Sequence, residues 1–315
     1  MPPISLALHA MATRFEIVLH GDRPAALRAA GEEALAEIER LEAQLSLFRA
    51  SSEIAHLNAR AAKEPVRVTP SLFALLRHAQ TLHRESDGAF DITIAPLVRC
   101  WGFRDGTGHL PEPEALAEAR RKVGMSLVHL ELKDFTVRFA REGVMLDLGA
   151  IGKGYAIERA AEILHEASVT SALLHGGTST VQAIGHPPDA ETWKVAVANP
   201  QPEAAPALLA TVELKDEAMS VSGIRGKFFQ AGGQTFGHIL DPRTGQPATG
   251  TVLAVVVLPS ATESDALSTA LLTLGPQGHE KIAALRSRMR TLVAAEANGR
   301  LRVEARGITC EPAVE

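Results

Sequence analysis

Residues 144–156, VMLDLGAIGKGYA, place a short apolar run, a glycine-rich turn and the start of a helix in succession. Backbone N–H groups at a helix N-terminus are unpaired and the helix dipole is positive there, so the turn suits a phosphate. It matches neither known phosphate motif, because only two residues separate Gly149 from Gly152 and no third glycine follows Gly154 at the dinucleotide spacing. Two interpretations therefore stay open for the turn: a phosphate site that uses Lys153, or a tight strand-to-helix turn with Lys153 in solvent.

Outward from this turn, the sequence alternates amphipathic helices with short strands. Apolar residues at helical spacing predict helices at 24–45, about 54–58, from 70, from 152 and at about 262–274. Apolar or alternating runs predict strands at 4–8, 15–19, 127–132, 136–139, 144–148, 171–174, 181–184, 193–198, 210–214, 236–240 and 252–257. Residues 86–113 are expected to be rich in loops. Without an internal repeat or a long linker, the pattern favours a single α+β domain over residues 1–315.

Composition excludes several classes of protein. Charged residues make up 22% of the chain and the formal net charge is −5, so no large positive field attracts nucleic acid. The two cysteines form neither a disulfide framework nor a zinc motif, and no apolar run reaches the roughly 20 residues of a membrane helix. The N-terminus does not resemble a secretion signal. We therefore expect a cytoplasmic protein as the sequence stands, or a periplasmic or membrane-associated one if a leader has been removed.

Asp265 and Thr269 form the first candidate metal site. They lie four residues apart on the helix predicted at about 262–274 and therefore share a face. A carboxylate and a hydroxyl together suit a hard cation such as Mg²⁺. The spacing by itself favours a structural role, because Thr262 and Asp265 fit a helix-capping pattern and Thr269 could bond a carbonyl one turn back.

Three further polar segments are turn-like. SDGAFD at 86–91 and HILDPRTGQP at 238–247 have turn chemistry, and neither demands catalysis by itself. HGGTST at 175–180 follows an apolar strand, and its two glycines permit either close approach of a ligand to the backbone or a plain hairpin bend.

Taken in order, the segments of this chain resemble those of the ApbE family of FAD:protein FMN transferases. The resemblance rests on seven stretches in the family's order: MATRFEI, LSLFRASSEIAHLN, SDGAFDITIAPLVRCWGF, LDLGAIGKGYA, LLHGGTST, GHILDPRTGQP and ATESDALSTALLTLG. It implies an ApbE-like flavin transferase fold, α+β, with mixed sheets and flanking helices around a central FAD cleft. It also implies a transferase of a phosphorus-containing group, with FAD as substrate and Mg²⁺ as cofactor.

The resemblance also assigns candidate roles. It implies Mg²⁺ ligands at Asp265 and Thr269 with a backbone carbonyl near Ala150, and it places Ser268 close by. His238 resembles the family's catalytic histidine, and an imidazole suits a general base by type, with Asp91 as the reserve. The positions that resemble flavin-nucleotide contacts are Met11, Phe48, Ala89, Phe90, Asp91, Asp147, Lys153 and Leu240.

The implied reaction is transfer of FMN from FAD to a Thr or Ser hydroxyl of an acceptor protein, with release of AMP. The acceptor is expected to be an electron-transfer protein. The sequence departs from the family pattern at Phe48, which replaces a usual tyrosine and keeps a stacking face, and at Thr178, which follows Gly176 and Gly177 where an acid or amide is common. The second departure leaves alternatives open. The alternatives are a protein of the same fold that only holds FAD or hydrolyses it to FMN and AMP, and a non-catalytic accessory of an electron-transfer system.

Overall fold

The computed structural model describes residues 2–104, 106, 108–201, 207–224, 228–297 and 300–311, and within them the α+β class is confirmed. The helices are α1 (Pro24–Leu45), α2 (Glu53–Arg60), α3 (Pro70–Glu85), α4 (Ala95–Cys100), α5 (Pro113–Arg120), α6 (Gly152–Glu166), α7 (Ala261–Leu274) and α8 (His279–Ala283). The strands are β1 (Ile4–Ala10), β2 (Thr13–Leu19), β3 (Val66–Arg67), β4 (Val128–Glu131), β5 (Thr136–Phe139), β6 (Ser171–Gly176), β7 (Thr180–Gly185), β8 (Trp193–Ala198), β9 (Leu208–Leu214), β10 (Ala218–Gly223), β11 (Phe228–Ala231), β12 (Gln234–Gly237), β13 (Thr251–Leu258), β14 (Arg290–Ala297) and β15 (Arg300–Arg306).

An eight-stranded antiparallel sheet organises the chain. Its strand order is β1-β2-β6-β7-β10-β13-β14-β15. Side chains alternate across it: Ala254 and Val256 of β13 join the main core with α1, α6 and α7, whereas Val255 and Val257 join a second core with the β8–β9 hairpin. The sheet therefore lies between a helical layer and a hairpin, and its helical face carries α6 and α7 side by side.

Several predicted elements are confirmed, and others are wrong. The long helix α1, the helices α6 and α7 and the strand β13 lie where periodicity predicts them. Residues 144–148 are not a strand: the N–H groups of Leu146 and Asp147 donate instead to Asn58 Oδ1 and Ile92 O. The strand expected at 236–240 ends at Gly237, and the region expected to be loop contains α4. In the described ranges, no helix is both long and apolar enough to cross a bilayer.

The sequence pattern did not predict three strands of the large sheet, β10, β14 and β15. The sequences AMSVSG and RTLVAAEA combine small residues with few aromatic or β-branched ones, so their strand propensity is weak. Their place in the sheet comes from pairing, since β10 bonds both β7 and β13. This omission matters for the site, because β10 faces α7.

Candidate functional site

The start of α6 packs directly on α7, and Asp265 joins the two helices. The backbone N–H of Gly154 donates to Asp265 Oδ2 at 2.9 Å. A β-carbon on Gly154 would lie 2.2 Å from Ala261 O and 2.7 Å from Asp265 Cβ. Only glycine allows this approach, and the carboxylate takes up one of the N–H groups that a helix N-terminus leaves unpaired. The glycine-rich turn therefore serves helix packing as well as any ligand.

A matched pair of glycine substitutions tests this packing. Gly154→Ala is expected to lower the free energy of unfolding by about 1–3 kcal/mol, the usual range for overpacking, because α6 and α7 must separate. Gly152→Ala is the control, since its added Cβ would meet only Leu148 Cβ at 3.8 Å, an ordinary contact. Urea denaturation of both variants checks the prediction, and equal stabilities would contradict it.

The capping alternative for Asp265 is wrong. The N-cap of α7 is Ser260, whose Oγ accepts from Glu263 N, so the capping pair lies two residues before the one that spacing suggested. The backbone contact expected for Thr269 is present, because its Oγ1 donates to Asp265 O at 3.4 Å. The same hydroxyl lies 3.2 Å from Ser222 Oγ on β10. Asp265 is therefore directed towards α6, and Thr269 belongs to a group of hydroxyls between α7 and β10.

The donor set at this junction fits Mg²⁺. Asp265 is 4% exposed, and no Lys, Arg or His of the described residues lies within 4.0 Å of its carboxylate. A buried carboxylate without a cation is costly, and a bound cation would compensate it. The described residues contain no cluster of three His, Cys, Asp or Glu, and the donors identified at the junction are the Asp265 carboxylate and the hydroxyls of Thr269 and Ser222. Mg²⁺ accepts one or two carboxylates and keeps waters for a phosphate substrate. Ala150, the third predicted ligand, lies four residues before Gly154 in the same turn.

A second group of predicted contacts gathers around Asp147. Its Oδ1 accepts from Gly149 N at 2.8 Å, and Lys153 Nζ donates to Gly149 O at 3.3 Å. Burial raises the pKa of Asp147 above its ordinary value, while the Gly149 N–H and the charges of Arg104 and Lys153 act in the opposite direction. Arg104 Cζ also lies 5.5 Å from the ring centroid of Phe48, whose side chain is 72% exposed. Phe48, Asp147 and Lys153 are thus connected through Arg104 and the glycine turn.

Arg104 was missed in the sequence. It directly follows the segment ending in Trp-Gly-Phe; its guanidinium lies over Phe48, and its charge acts to lower the pKa of Asp147. A cation one residue beyond a family-like segment was the available signal, but no local spacing connects it to residues more than 40 positions away.

Asp91 is held by three hydrogen-bond partners. Its Oδ1 accepts from the backbone N–H and the hydroxyl of Thr93 at 2.7 and 2.6 Å, and its Oδ2 lies 3.2 Å from His83 Nδ1. His83 Nδ1 also lies 3.0 Å from Phe90 O, and since a carbonyl only accepts, this nitrogen carries the proton. Ala89 and Phe90 are buried beside it. To act as a base, Asp91 would have to release these partners.

The His83–Asp91 pair predicts a pH dependence of stability. Burial lowers the pKa of His83, but the hydrogen bond and charge of Asp91 and the bond to Phe90 O outweigh it, so the pKa is raised above 6.5. The contribution of His83 to stability is therefore fully present below its unfolded pKa and is lost as pH rises through the folded pKa. We expect the stability difference between the wild type and His83→Gln to shrink from about pH 5.5 to about pH 8.5. A difference that grows with pH, measured by urea denaturation, would contradict this sign.

A separate cavity of about 570 Å³ opens beside the pair. Its lining includes His83, Asp91, Arg120, Arg121 and Arg243. Asp91 is the one predicted flavin contact in that lining, while the Asp265 junction and Lys153 lie outside it. The cavity and the metal-like junction are therefore distinct places, and the donor chemistry described above belongs to the junction.

The remaining predicted residues lie on other loops. Met11 is at the β1–β2 turn with φ 48°, and its N–H donates to Glu42 Oε1 at 2.9 Å. Leu240 is buried and pairs with Pro247, and half-buried His238 directly follows β12.

For 175–180 the hairpin interpretation is confirmed, because this segment joins the antiparallel strands β6 and β7. Gly177 N also donates to Arg14 O at 2.8 Å.

Comparison with known proteins identifies a family and related structures. A sequence profile described as the ApbE family matches residues 11–293. The FAD:protein FMN transferase of Treponema pallidum (strain Nichols) is 34% identical over 289 residues, which cover 87% of this chain and 78% of that protein. The crystal structure of the ApbE protein of Thermotoga maritima is 28% identical, with a TM-score of 0.84 and coverage of 95% and 96%. The apo form of flavinyl transferase ApbE from Pseudomonas stutzeri is also 28% identical, with a TM-score of 0.83 and coverage of 97% and 95%. The matched region contains every predicted site residue.

Proposed function

This chain belongs to the ApbE family and is a flavin transferase, and on that basis we propose that it moves the FMN half of FAD onto a Thr or Ser hydroxyl of an acceptor protein, with Mg²⁺ bound and AMP released. The relatives named FAD:protein FMN transferase support FAD as the donor and a protein as the acceptor. The observation that carries the finer proposal is the α6–α7 junction. There a buried carboxylate without a cationic partner lies beside two hydroxyls and the glycine turn that bears Lys153.

Each group of the site has a task in this proposal. Asp265, Thr269 and the backbone carbonyl of Ala150 would hold Mg²⁺, which supplies charge neutralisation at the diphosphate when bound. Lys153, at the N-terminus of α6, stabilises the negative charge on the phosphate oxygens. Phe48 offers an exposed aromatic face to the flavin ring.

The transfer itself requires deprotonation of a poor nucleophile. His238 accepts the proton of the acceptor hydroxyl on an imidazole nitrogen as the hydroxyl oxygen attacks the phosphorus of the FMN half. One O–P bond forms, the bridging P–O bond breaks, and AMP leaves with the bonding electron pair. The product is a phosphodiester that joins FMN to the acceptor side chain.

One incubation separates this function from its alternatives. The chain is mixed with FAD, Mg²⁺ and a candidate acceptor protein, the acceptor is denatured, and covalent flavin fluorescence and free AMP are measured. Fluorescent acceptor with an equal amount of AMP supports the transferase. AMP and FMN without labelled acceptor would indicate a hydrolase, and FAD bound without either product would indicate a carrier.

A further inference from the structure

Arg104 carries a charge that the fold does not neutralise. Among the described residues, no carboxylate lies within 4.0 Å of its guanidinium, in contrast with Arg243, whose Nη2 lies 2.7 Å from Asp241 Oδ2. The guanidinium lies over Phe48 instead, 5.5 Å from the ring centroid. An arginine in this position keeps most of its five N–H donors available for an anion.

The neighbourhood of Arg104 has more positive than negative charge. The charges of Arg104 and Lys153 both act to lower the pKa of Asp147, so two cations lie in the neighbourhood of this one carboxylate. Lys153 Nζ donates to a backbone carbonyl, Gly149 O, and no ion pair of Lys153 occurs in the described part of the chain. One positive charge is left over even with Asp147 ionised, and an anion bound between these side chains would balance it.

Phe48 indicates which part of FAD supplies that anion. Its exposed ring lies 5.5 Å from the Arg104 guanidinium, and a planar aromatic group can stack on it. The isoalloxazine ring is the larger of the two aromatic systems of FAD. The phosphate nearest to it along the molecule belongs to the FMN half, so a flavin on Phe48 brings that phosphate towards Arg104 rather than the phosphate of AMP.

We propose that Arg104 binds the phosphate of the FMN half of FAD and so recognises the half that is transferred. The assignment rests on the proposed function, because it takes FAD as the substrate. Arg104 keeps its proton throughout, since a guanidinium does not ionise near neutral pH, and its N–H groups stay on the phosphate oxygens while the acceptor oxygen replaces AMP. Arg104 is thus a substrate-binding residue beside Lys153, with no part in proton transfer.

Equilibrium binding without turnover tests the assignment. Dissociation constants for FAD, FMN, riboflavin and AMP are measured by flavin fluorescence or by dialysis, with EDTA present and no acceptor. The variants are Arg104→Gln and Arg104→Lys. The control is Arg99→Gln, an exposed arginine five residues earlier whose Nη1 contacts Met145 Sδ at 3.2 Å.

The pattern across ligands decides the result. Arg104→Gln is expected to weaken the binding of FAD and FMN by about 10- to 100-fold, as for lost hydrogen bonds to a charged group. The affinities for riboflavin and AMP should not change. Arg104→Lys should lose less affinity for FAD and FMN, and Arg99→Gln should lose none. If riboflavin binding weakened as much as FMN binding, Arg104 would contact the flavin ring rather than the phosphate, and the proposal would be overturned. Unchanged FMN binding would also overturn it. Unchanged AMP binding shows that the variant is folded, and because no acceptor is used, failure of transfer in the wild type is a separate result.

Discussion

Asp265→Asn is expected to reduce Mg²⁺-dependent FMN transfer by about 100-fold or more, since losing a metal that contributes several kcal/mol has that effect. The variant should remain folded, because an amide oxygen can still accept the hydrogen bond from Gly154 N. What it loses is the negative charge that holds the cation. The measurement is the initial rate of acceptor labelling as a function of Mg²⁺ concentration, with thermal unfolding recorded alongside.

Two further variants separate the metal role from a structural one. Asp265→Ala removes the acceptor as well, leaves the Gly154 N–H buried and unpaired, and should cost about 1–3 kcal/mol of stability in addition to activity. Thr262→Val is the control: the hydroxyl of Thr262 has no hydrogen-bond partner among the described residues, so activity and stability should hold or rise slightly. If Asp265→Asn kept full activity at low Mg²⁺, the metal assignment would be wrong.

His238→Gln is expected to lower kcat for acceptor labelling by about 10²- to 10⁴-fold, the usual contribution of a positioned general base. The KM for FAD should change little, because the base acts on the acceptor hydroxyl in the transition state rather than on bound FAD. Steady-state labelling rates with FAD and acceptor varied in turn provide both constants.

His175→Gln is the matched control for His238. His175 also lies in a family-like segment, but its ring contacts Gly177 O at 3.2 Å within the β6–β7 hairpin, so we expect kcat to stay close to that of the wild type. Full activity of His238→Gln would remove this residue from catalysis and would return the role to Asp91, whose release from Thr93 and His83 would then have to be shown.

The sequence predicted helices correctly where residues of one type recur at a regular spacing along a single element. The four-residue spacing of Asp265 and Thr269 correctly put both on one helix, and the apolar period of 24–45 correctly gave α1. The pattern failed where small residues pair into the sheet, so β10 and its Ser222 contact to Thr269 were absent from the prediction. It also failed at 144–148, where Val144, Leu146 and Leu148 are buried without joining a strand.

By itself, the sequence determined the family, the fold class and the chemical types of the site residues, because these follow from residue order and short-range spacing. Only the tertiary structure decided what those residues touch. Asp265 meets Gly154 across 111 residues, and Arg104 meets Phe48 and the neighbourhood of Asp147 from a different loop. Such contacts depend on close packing between segments that are distant in sequence. The effect of the missing β-carbon of Gly154 and of the unpaired charge of Arg104 depends on which residues pack against them.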